Sequence, residues 1–257
     1  MVNKRHPVVE RHRIELPRRL QGLSGLKIAH LTDIHAGPSM RGPALRRLVE
    51  EVNALGADFI AVTGDIMNWQ RRYLAEVVEN FQHLSARLGT FAILGNHDFY
   101  FGARNLIRAL HDSTPLRFIG KQRLIFEEAP GLTVTGHDDP MVPLTEDHDY
   151  PDLEHLSREN HPDHFHVLLT HRPDAFPAAT RHGYDLVLAG HTHGGQVNMT
   201  TRRGRRFNIS KLATPFDAGL YTQGRTRLYV SRGLGYTAVP FRVNCPPEIA
   251  LFTLEAA

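Results

Sequence analysis

The sequence contains a single cysteine, Cys245, among its 257 residues, so no intramolecular disulfide can form. A reducing compartment is the simplest interpretation of this shortage. No stretch approaches the roughly 18 uninterrupted apolar residues of a membrane span, and the charged first residues lack the apolar segment of a signal peptide. We therefore expect a soluble, cytoplasmic protein. Peripheral contact with the anionic face of the inner membrane remains open.

The sequence also lacks a large excess of either charge. Lys and Arg total 30 against 27 for Asp and Glu, which gives a formal net charge of +3. This balance does not indicate a nucleic-acid binder. The length and a hydrophobic content of 41% suffice for one substantial core. We expect a single domain over residues 1–257, with a mobile loop or small insertion at the polar, histidine-rich segment 137–164.

Apolar strands alternate with amphipathic helices in the first half of the chain. Strands are predicted over 27–32, 58–63 and 91–94, with helices around 45–55, 74–84 and 105–110. The second half is richer in strands, which are predicted over 123–126, 132–135, 166–169, 186–189 and 248–254, the last one closing a sheet. This order predicts an α/β protein of two packed sheets flanked by helices.

Histidine is abundant, with 17 residues, and five short clusters place His, Asp or Asn directly after predicted strands. The clusters are Asp33-Ile34-His35, Gly64-Asp65, Gly95-Asn96-His97-Asp98, Thr170-His171-Arg172 and Gly190-His191-Thr192-His193-Gly194-Gly195. On an extended chain, side chains two residues apart point the same way. Asp33 and His35 can therefore share one metal ion, although a capping aspartate beside a surface histidine would give the same pattern.

The other clusters carry different weight. Asp65 follows a glycine and could bridge two cations with its two oxygens, but an N-cap aspartate has the same surroundings. Asn96 offers a neutral oxygen ligand, and His97 beside it would be free to protonate a leaving group. A simple polar turn is the alternative for that pair. His191 and His193 lie in a glycine-bracketed loop, which is hard to explain by core packing.

Together and in this order, the clusters resemble the calcineurin-like metallophosphoesterase superfamily, over roughly residues 26–254. Within it, the segments 31–35, 190–196, 231–235 and 246–248 are similar to a bacterial phosphodiesterase branch that includes UDP-diacylglucosamine pyrophosphohydrolases. The resemblance implies a four-layer α/β/β/α sandwich of two mixed sheets flanked by helices. It also implies two divalent metal ions. This imidazole-rich ligand set suits Mn, Fe or Zn better than Mg, although Mg is an alternative.

The resemblance implies a role for each matched residue. Asp33, His35 and His193 would hold the first metal, Asn96, His171 and His191 the second, Asp65 would bridge them, and His97 would assist catalysis. The implied enzyme is a metal-dependent phosphoesterase that cleaves a phosphodiester or pyrophosphate bond by attack of a metal-bridging hydroxide. A nucleotide-lipid such as UDP-diacylglucosamine is a candidate substrate.

Three alternatives remain beside this interpretation. A nuclease would need a basic groove with interleaved aromatics, a cyclic-nucleotide phosphodiesterase would share the metal site, and a non-catalytic scaffold would lack ligands. A separate basic segment, with Arg202, Arg203, Arg205 and Arg206, could contact substrate phosphate or an anionic membrane. A solvated hairpin tip is the other interpretation of these arginines.

Overall fold

The computed structural model describes residues 6–141, 151–200, 206–237 and 239–256. Its strands are β1 (Val8–Leu16), β2 (Lys27–Leu31), β3 (Phe59–Thr63), β4 (Gly89–Ile93), β5 (Leu116–Phe118), β6 (Gln122–Ile125), β7 (Leu132–His137), β8 (Phe165–Thr170), β9 (Leu186–Ala189), β10 (Met199–Thr200), β11 (Arg206–Phe207), β12 (Gly219–Gln223), β13 (Thr226–Val230) and β14 (Glu248–Ala256). Its α-helices are α1 (Pro43–Ala54), α2 (Leu74–Phe81), α3 (Asn96–Phe101), α4 (Ala103–Ser113), α5 (Pro151–Ser157) and α6 (Phe176–Arg181).

Two six-stranded mixed sheets form the centre of the molecule. The first has the order β1-β14-β2-β3-β4-β5 and the second β12-β13-β9-β8-β7-β6, while β10 and β11 form a separate ribbon. Strands β2 to β5 run parallel, as do β7, β8, β9 and β13. The carboxyl ends of the parallel strands therefore lie along one edge of each sheet.

Three apolar clusters define the layers. The first packs α1, α2 and α4 on the outer face of the first sheet, and includes Leu48, Val77 and Leu106. The second lies between the sheets and includes Phe59 and Phe165. The third packs α5 and α6 on the outer face of the second sheet. Strand β3 is buried throughout. Strands covered on both faces have continuous apolar sequences, which explains the apolar run of β3. The predicted α/β/β/α sandwich is confirmed.

The C-terminal strand differs from the prediction. It was expected to close a sheet, but β14 lies inside the first sheet, antiparallel to β2 and parallel to β1. Strand β1 covers its outer edge over nine residue pairs. Its sequence, VVERHRIEL, alternates charged exposed and more buried positions, so it lacks the apolar run by which the other strands were predicted.

The segment predicted as a loop or insertion, 137–164, lies partly outside the described residues. Of its described part, residues 151–157 form α5, which packs on β7. In the part of the chain that the structure describes, no helix combines the length and the apolarity needed to cross a membrane.

Candidate metal centre

Five loops bring the predicted ligands together at the carboxyl ends of parallel strands. Asp33 and His35 follow β2, and Asp65 follows β3. Asn96 and His97 follow β4 and open α3, and the remaining ligands, His171, His191 and His193, follow β8 and β9 of the other sheet. Hydrogen bonds and close contacts cross between the sheets here, so the cluster spans their shared edge.

The backbone of these loops is unusual. Five of the seven predicted metal ligands have φ in the left-handed region that favours glycine: Asp33 (49°), His35 (45°), Asp65 (52°), His191 (70°) and His193 (53°). Such conformations cost of order 1–3 kcal/mol each and concentrate at functional sites. The surrounding fold must therefore hold these loops in place.

Glycines let the ligand loops approach one another. A Cβ on Gly190 would overlap Oδ2 of Asp33 and the Thr32 hydroxyl. A Cβ on Gly64 would overlap the backbone of Gly95. The glycines in the motifs therefore serve close approach between loops.

One group of ligand atoms surrounds Nε2 of His35. Nε2 of His193 lies 3.1 Å from it, and Oδ1 of Asp33 lies 3.9 Å from it and 3.3 Å from Nε2 of His193. The other oxygen of Asp33 accepts hydrogen bonds from the backbone N–H of His191 (2.9 Å) and from the Thr32 hydroxyl (3.0 Å). Asp33 is thereby fixed with Oδ1 directed at the two imidazoles.

A second group lies around His171. Its Nδ1 is 2.7 Å from the carbonyl oxygen of Thr63, and this contact orients Nε2 toward Nδ1 of His191, 3.1 Å away. A histidine whose second nitrogen donates to a carbonyl has its tautomer and ring orientation set for metal binding.

Asp65 lies between the two groups and is 2% exposed. Its Oδ2 is 3.5 Å from Nε2 of His35 and 3.4 Å from Nε2 of His171. Its Oδ1 accepts the backbone N–H of His97 at 2.8 Å. The sequence suggested that two oxygens would face two cations. In the structure one oxygen, Oδ2, faces both imidazole groups.

The donor set fits divalent cations. Among the described residues, the buried oxygens Oδ1 of Asp33 and Oδ1 of Asn96 have no hydrogen-bond partner, whereas buried acceptors in folded proteins are nearly always satisfied. The imidazole nitrogens also face one another at 3.1 Å. Cations would satisfy these acceptors and lone pairs together.

The electrostatics agree with this fit. Burial lowers the pKa of His35 to about 4 and lowers the pKa of His191 and His193 well below their usual value, so these rings are neutral near pH 7, as metal ligation requires. His171 is also buried, but the carboxylates of Asp65 and Asp33 outweigh that effect and raise its pKa to about 10.

His97 lies at the outer side of the ligands. Its ring meets that of His35 edge-on, with centroids 4.7 Å apart, and it is half-buried. Burial lowers the pKa of His97, and its Nδ1 has no hydrogen-bond partner within the described ranges. Trp69 and Tyr100 contact the same ring, at centroid distances of 4.9 and 6.0 Å.

Asp98 is a site residue whose role the sequence did not reveal. It is fully buried, and its carboxylate accepts the backbone N–H groups of Ile66 (2.9 Å), Met67 (3.1 Å) and Gly95 (3.0 Å). Burial and the charge of Asp65 raise the pKa of Asp98 to about 7. Asp98 therefore ties the Asp65 loop to the Asn96 loop, a contact that only the fold creates.

Asp139 and Arg172 were also missed. A carboxylate oxygen of Asp139 lies within 4.8 Å of ligand nitrogens of His171 and His191, and Oδ2 of Asp139 accepts from Nε of Arg172 at 2.7 Å. Arg172 follows a predicted ligand directly, which was the one sequence signal available. The pair adds a carboxylate and a guanidinium beside the second group of ligands.

The structure does not test the predicted arginine segment. Arg202, Arg203 and Arg205 lie outside the described residues, and Arg206 is described only as backbone in β11. Their predicted contact with phosphate or membrane stays a prediction.

Comparison with known proteins confirms the family resemblance. A family model described as calcineurin-like phosphoesterase matches residues 26–195. The match contains all of the predicted metal ligands and His97. An uncharacterized metallophosphoesterase of Campylobacter jejuni is 30% identical over 250 residues, which cover 97% of this chain and 63% of the relative.

A more specific relative matches over a shorter range. UDP-2,3-diacylglucosamine pyrophosphatase of Chlamydia muridarum is 34% identical over 85 residues, which cover 33% of this chain and 26% of the relative. The chain spans 63%, 60% and 57% of the lengths of three curated relatives that it matches over most of its own length.

A solved structure supports the architecture. The crystal structure of a dimetal phosphatase from Danio rerio aligns with a TM-score of 0.53 at 12% identity, covering 82% of this chain and 88% of that chain. At this identity the likeness shows the fold alone.

Proposed function

The chain belongs to the calcineurin-like phosphoesterase family of metal-dependent phosphoesterases, and we propose that it cleaves a phosphodiester or pyrophosphate bond at a dinuclear metal centre. One observation carries the proposal. Oδ2 of Asp65 lies 3.5 Å from one imidazole group and 3.4 Å from another. A buried carboxylate oxygen placed between two sets of ligand nitrogens is the arrangement that a bridging ligand needs.

We propose a division of the ligands between two cations. Asp33, His35 and His193 would hold one, Asn96, His171 and His191 the other, and Asp65 would serve both through Oδ2. Cations bound there would supply a nucleophile at neutral pH and neutralise charge on the phosphoryl oxygens. The neutral Asn96 ligand leaves the loaded site net positive, as an anionic substrate requires. Mn, Fe or Zn fits the imidazole-rich set best.

His97 would act on the phosphoryl group without binding metal. Its backbone is fixed by the hydrogen bond to Asp65, while its ring lies beside His35 at the outer side of the ligands. Its Nδ1 is buried and has no hydrogen-bond partner among the described residues. The ring could donate a proton or a hydrogen bond to the leaving oxygen, which is typically worth 10²–10⁴-fold in rate.

The substrate is a finer proposal. A nucleotide-linked lipid with a pyrophosphate bond is supported by the partial match to the Chlamydia muridarum pyrophosphatase. Arg202, Arg203, Arg205 and Arg206 would then contact its phosphates or an anionic membrane at the cytoplasmic face. We further propose that residues 1–257 form one phosphoesterase domain.

A reconstitution panel tests the function. Metal-free protein would be loaded with Mn, Fe, Zn or Mg and assayed on a generic phosphodiester, a phosphomonoester, cyclic nucleotides, single-stranded DNA and UDP-diacylglucosamine. We expect hydrolysis of the diester and of UDP-diacylglucosamine only after loading. Hydrolysis of DNA or cyclic nucleotides in preference to both would instead support the nuclease or cyclic-nucleotide alternative. No hydrolysis with any metal would support the scaffold alternative.

A further inference from the structure

Two exposed aromatic side chains are stacked beside His97. Trp69 lies in the loop after Asp65, and Tyr100 lies on α3. Their ring centroids are 5.5 Å apart and their planes differ by 15°, so they form an offset stack. The indole meets the His97 ring at 4.9 Å and 63°. The two rings therefore extend the site outward as a flat surface.

This pair is exposed to an unusual degree for its size. Trp69 is 62% exposed and Tyr100 is 57% exposed. Aromatic side chains bury much of their surface in most proteins, and adjacent exposed ones mark binding surfaces. The pair contributes little to the apolar core, because neither ring belongs to any of the three buried clusters.

The surroundings of the pair are polar. Gln70, Arg71 and Arg72 follow Trp69 directly, and all three are exposed. Arg71 reaches the end of α3, where its Nη2 would lie 3.8 Å from a Cβ at Gly102. Arg72 is held by Gln70 and by the Tyr73 hydroxyl. An acyl chain would find no continuous apolar wall among these side chains, whereas a planar ring on a phosphorylated sugar would meet aromatic faces flanked by cations.

We propose that Trp69 and Tyr100 form a stacking platform for a planar ring of the substrate, a nucleobase being the ligand of matching chemistry. The inference rests on the proposed function, because the ring must be tethered to the phosphoryl group at the metal ligands. Stacking of a base on an aromatic side chain is sequence-tolerant and contributes on the order of tenfold or more in affinity. The platform would select nucleotide substrates over phosphoesters without a ring.

The chain provides its own probe, because Trp69 is its only tryptophan. Fluorescence excited at the long-wavelength edge, where the seven tyrosines do not absorb, therefore reports on Trp69 alone. The metal-loaded full chain would be titrated with UMP and with ribose 5-phosphate, which share the phosphate and differ in the base. We expect UMP to quench the emission and ribose 5-phosphate to leave it nearly unchanged. Calorimetry on the same samples should show that UMP binds about tenfold more tightly than ribose 5-phosphate.

Variants separate stacking from a supporting role toward His97. Trp69→Ala should weaken UMP binding about tenfold and leave ribose 5-phosphate binding unchanged, while Trp69→Phe should retain most of the UMP affinity. Tyr100→Ala keeps the tryptophan and should reduce the quenching. Ile125→Ala is the matched control. Ile125 is 57% exposed on edge strand β6 and pairs with Thr133 near the start of β7, away from the carboxyl ends of the parallel strands.

The outcomes distinguish this inference from the function on which it rests. If the metal-loaded wild-type chain did not bind ribose 5-phosphate, the proposed phosphoryl site would be contradicted. Equal affinity of the wild-type chain for both ligands would overturn the platform alone. The platform would also be overturned if Trp69→Ala lowered the affinity for UMP and for ribose 5-phosphate equally. A short-chain phosphatidic acid serves as a probe with an acyl chain and no planar ring, and a variant that lost affinity only for this probe would likewise contradict the platform.

Discussion

The backbone N–H of His97 donates a hydrogen bond to Oδ1 of Asp65 at 2.8 Å. This one contact joins the proposed bridging ligand to the proposed catalytic histidine. It commits Oδ1, and so leaves Oδ2 to face His35 and His171. Because the N–H belongs to the backbone, replacing the side chain of His97 leaves the position of Asp65 intact. Metal binding and turnover can therefore be separated by mutation.

Replacing His97 should abolish most turnover without removing metal. His97→Ala keeps the hydrogen bond to Asp65 and removes only the imidazole, so kcat on a phosphodiester should fall 10²–10⁴-fold. Metal content, measured by mass spectrometry, should stay at the wild-type value. His83→Ala, at an exposed position of the same residue type, is the control. Wild-type turnover of His97→Ala would remove His97 from the reaction.

A methyl group at Gly190 should disturb the first group of ligands. Gly190→Ala places its Cβ against Oδ2 of Asp33 and the Thr32 hydroxyl, so Asp33 must move, and metal affinity should fall by about tenfold or more. Gly22→Ala is the control, since a Cβ there meets nothing within 4 Å. Competition with a chelator measures both affinities. Equal affinities would show that the glycine serves only local backbone geometry.

Removing the carboxylate of Asp98 should loosen two ligand loops. Asp98→Ala leaves three buried backbone N–H groups without an acceptor, each costing about 1–3 kcal/mol. Asp98→Asn retains one acceptor oxygen, so its free energy of unfolding should fall less than that of Asp98→Ala. Urea unfolding gives the loss in each variant, and Asp112→Ala on the exposed face of α4 should change stability by less than about 0.5 kcal/mol. Equal stability of Asp98→Ala and Asp112→Ala would show that Asp98 does not hold the Asp65 and Asn96 loops together.

Buried His30 should make the metal-free protein acid-sensitive. Burial lowers its pKa to about 3, so below the unfolded-state value of about 6.5 the unfolded chain binds a proton that the folded chain does not. Folding free energy is therefore lost as the pH falls below 6.5, by up to about 1.4 kcal/mol per pH unit from this residue. Buried His35 and His193, whose pKa values are also lowered, act in the same direction, whereas His171, whose pKa is raised, does not.

The non-titrating variant His30→Asn isolates that contribution. Its unfolding free energy should fall less steeply between about pH 6 and about pH 5, by roughly 1 kcal/mol per unit, whatever its absolute stability. His83→Asn at an exposed position should keep the wild-type slope. An unchanged slope in His30→Asn would mean that His30 is protonated in the folded protein.

The sequence predicted most of the buried strands, and the ligand residues that it proposed are ones that the fold brings close together. Buried strands such as β3 and β9 are covered on both faces, so their apolar runs are unmistakable, and His, Asp or Asn directly after them marks the carboxyl edge of a parallel sheet. Strand β1 was missed because exposed, mostly charged residues alternate with its more buried ones, so it has no apolar run. Helix α3 was not among the predicted helices, because its six residues are too few to show a helical period.

The geometry within the site could not be predicted in the same way. Which oxygen of Asp65 faces the imidazoles depends on a hydrogen bond across 32 positions. The roles of Asp98 and of the Trp69–Tyr100 stack likewise arise between segments that meet only in the folded chain. Local pattern fixes strand and ligand positions, whereas contacts between loops depend on how the strands are ordered in the sheets.

The central claim is that the carboxylate of Asp65 serves two metal ions. The most direct test compares the metal content of the wild-type chain with that of the Asp65→Asn variant. After loading and dialysis, we expect two divalent ions per wild-type chain, and two in the control Asp112→Asn. In Asp65→Asn both ions should be lost, together with phosphodiester hydrolysis, because Oδ2 lies between both groups of ligands. Two ions retained by Asp65→Asn, or none bound by the wild-type chain, would contradict the account.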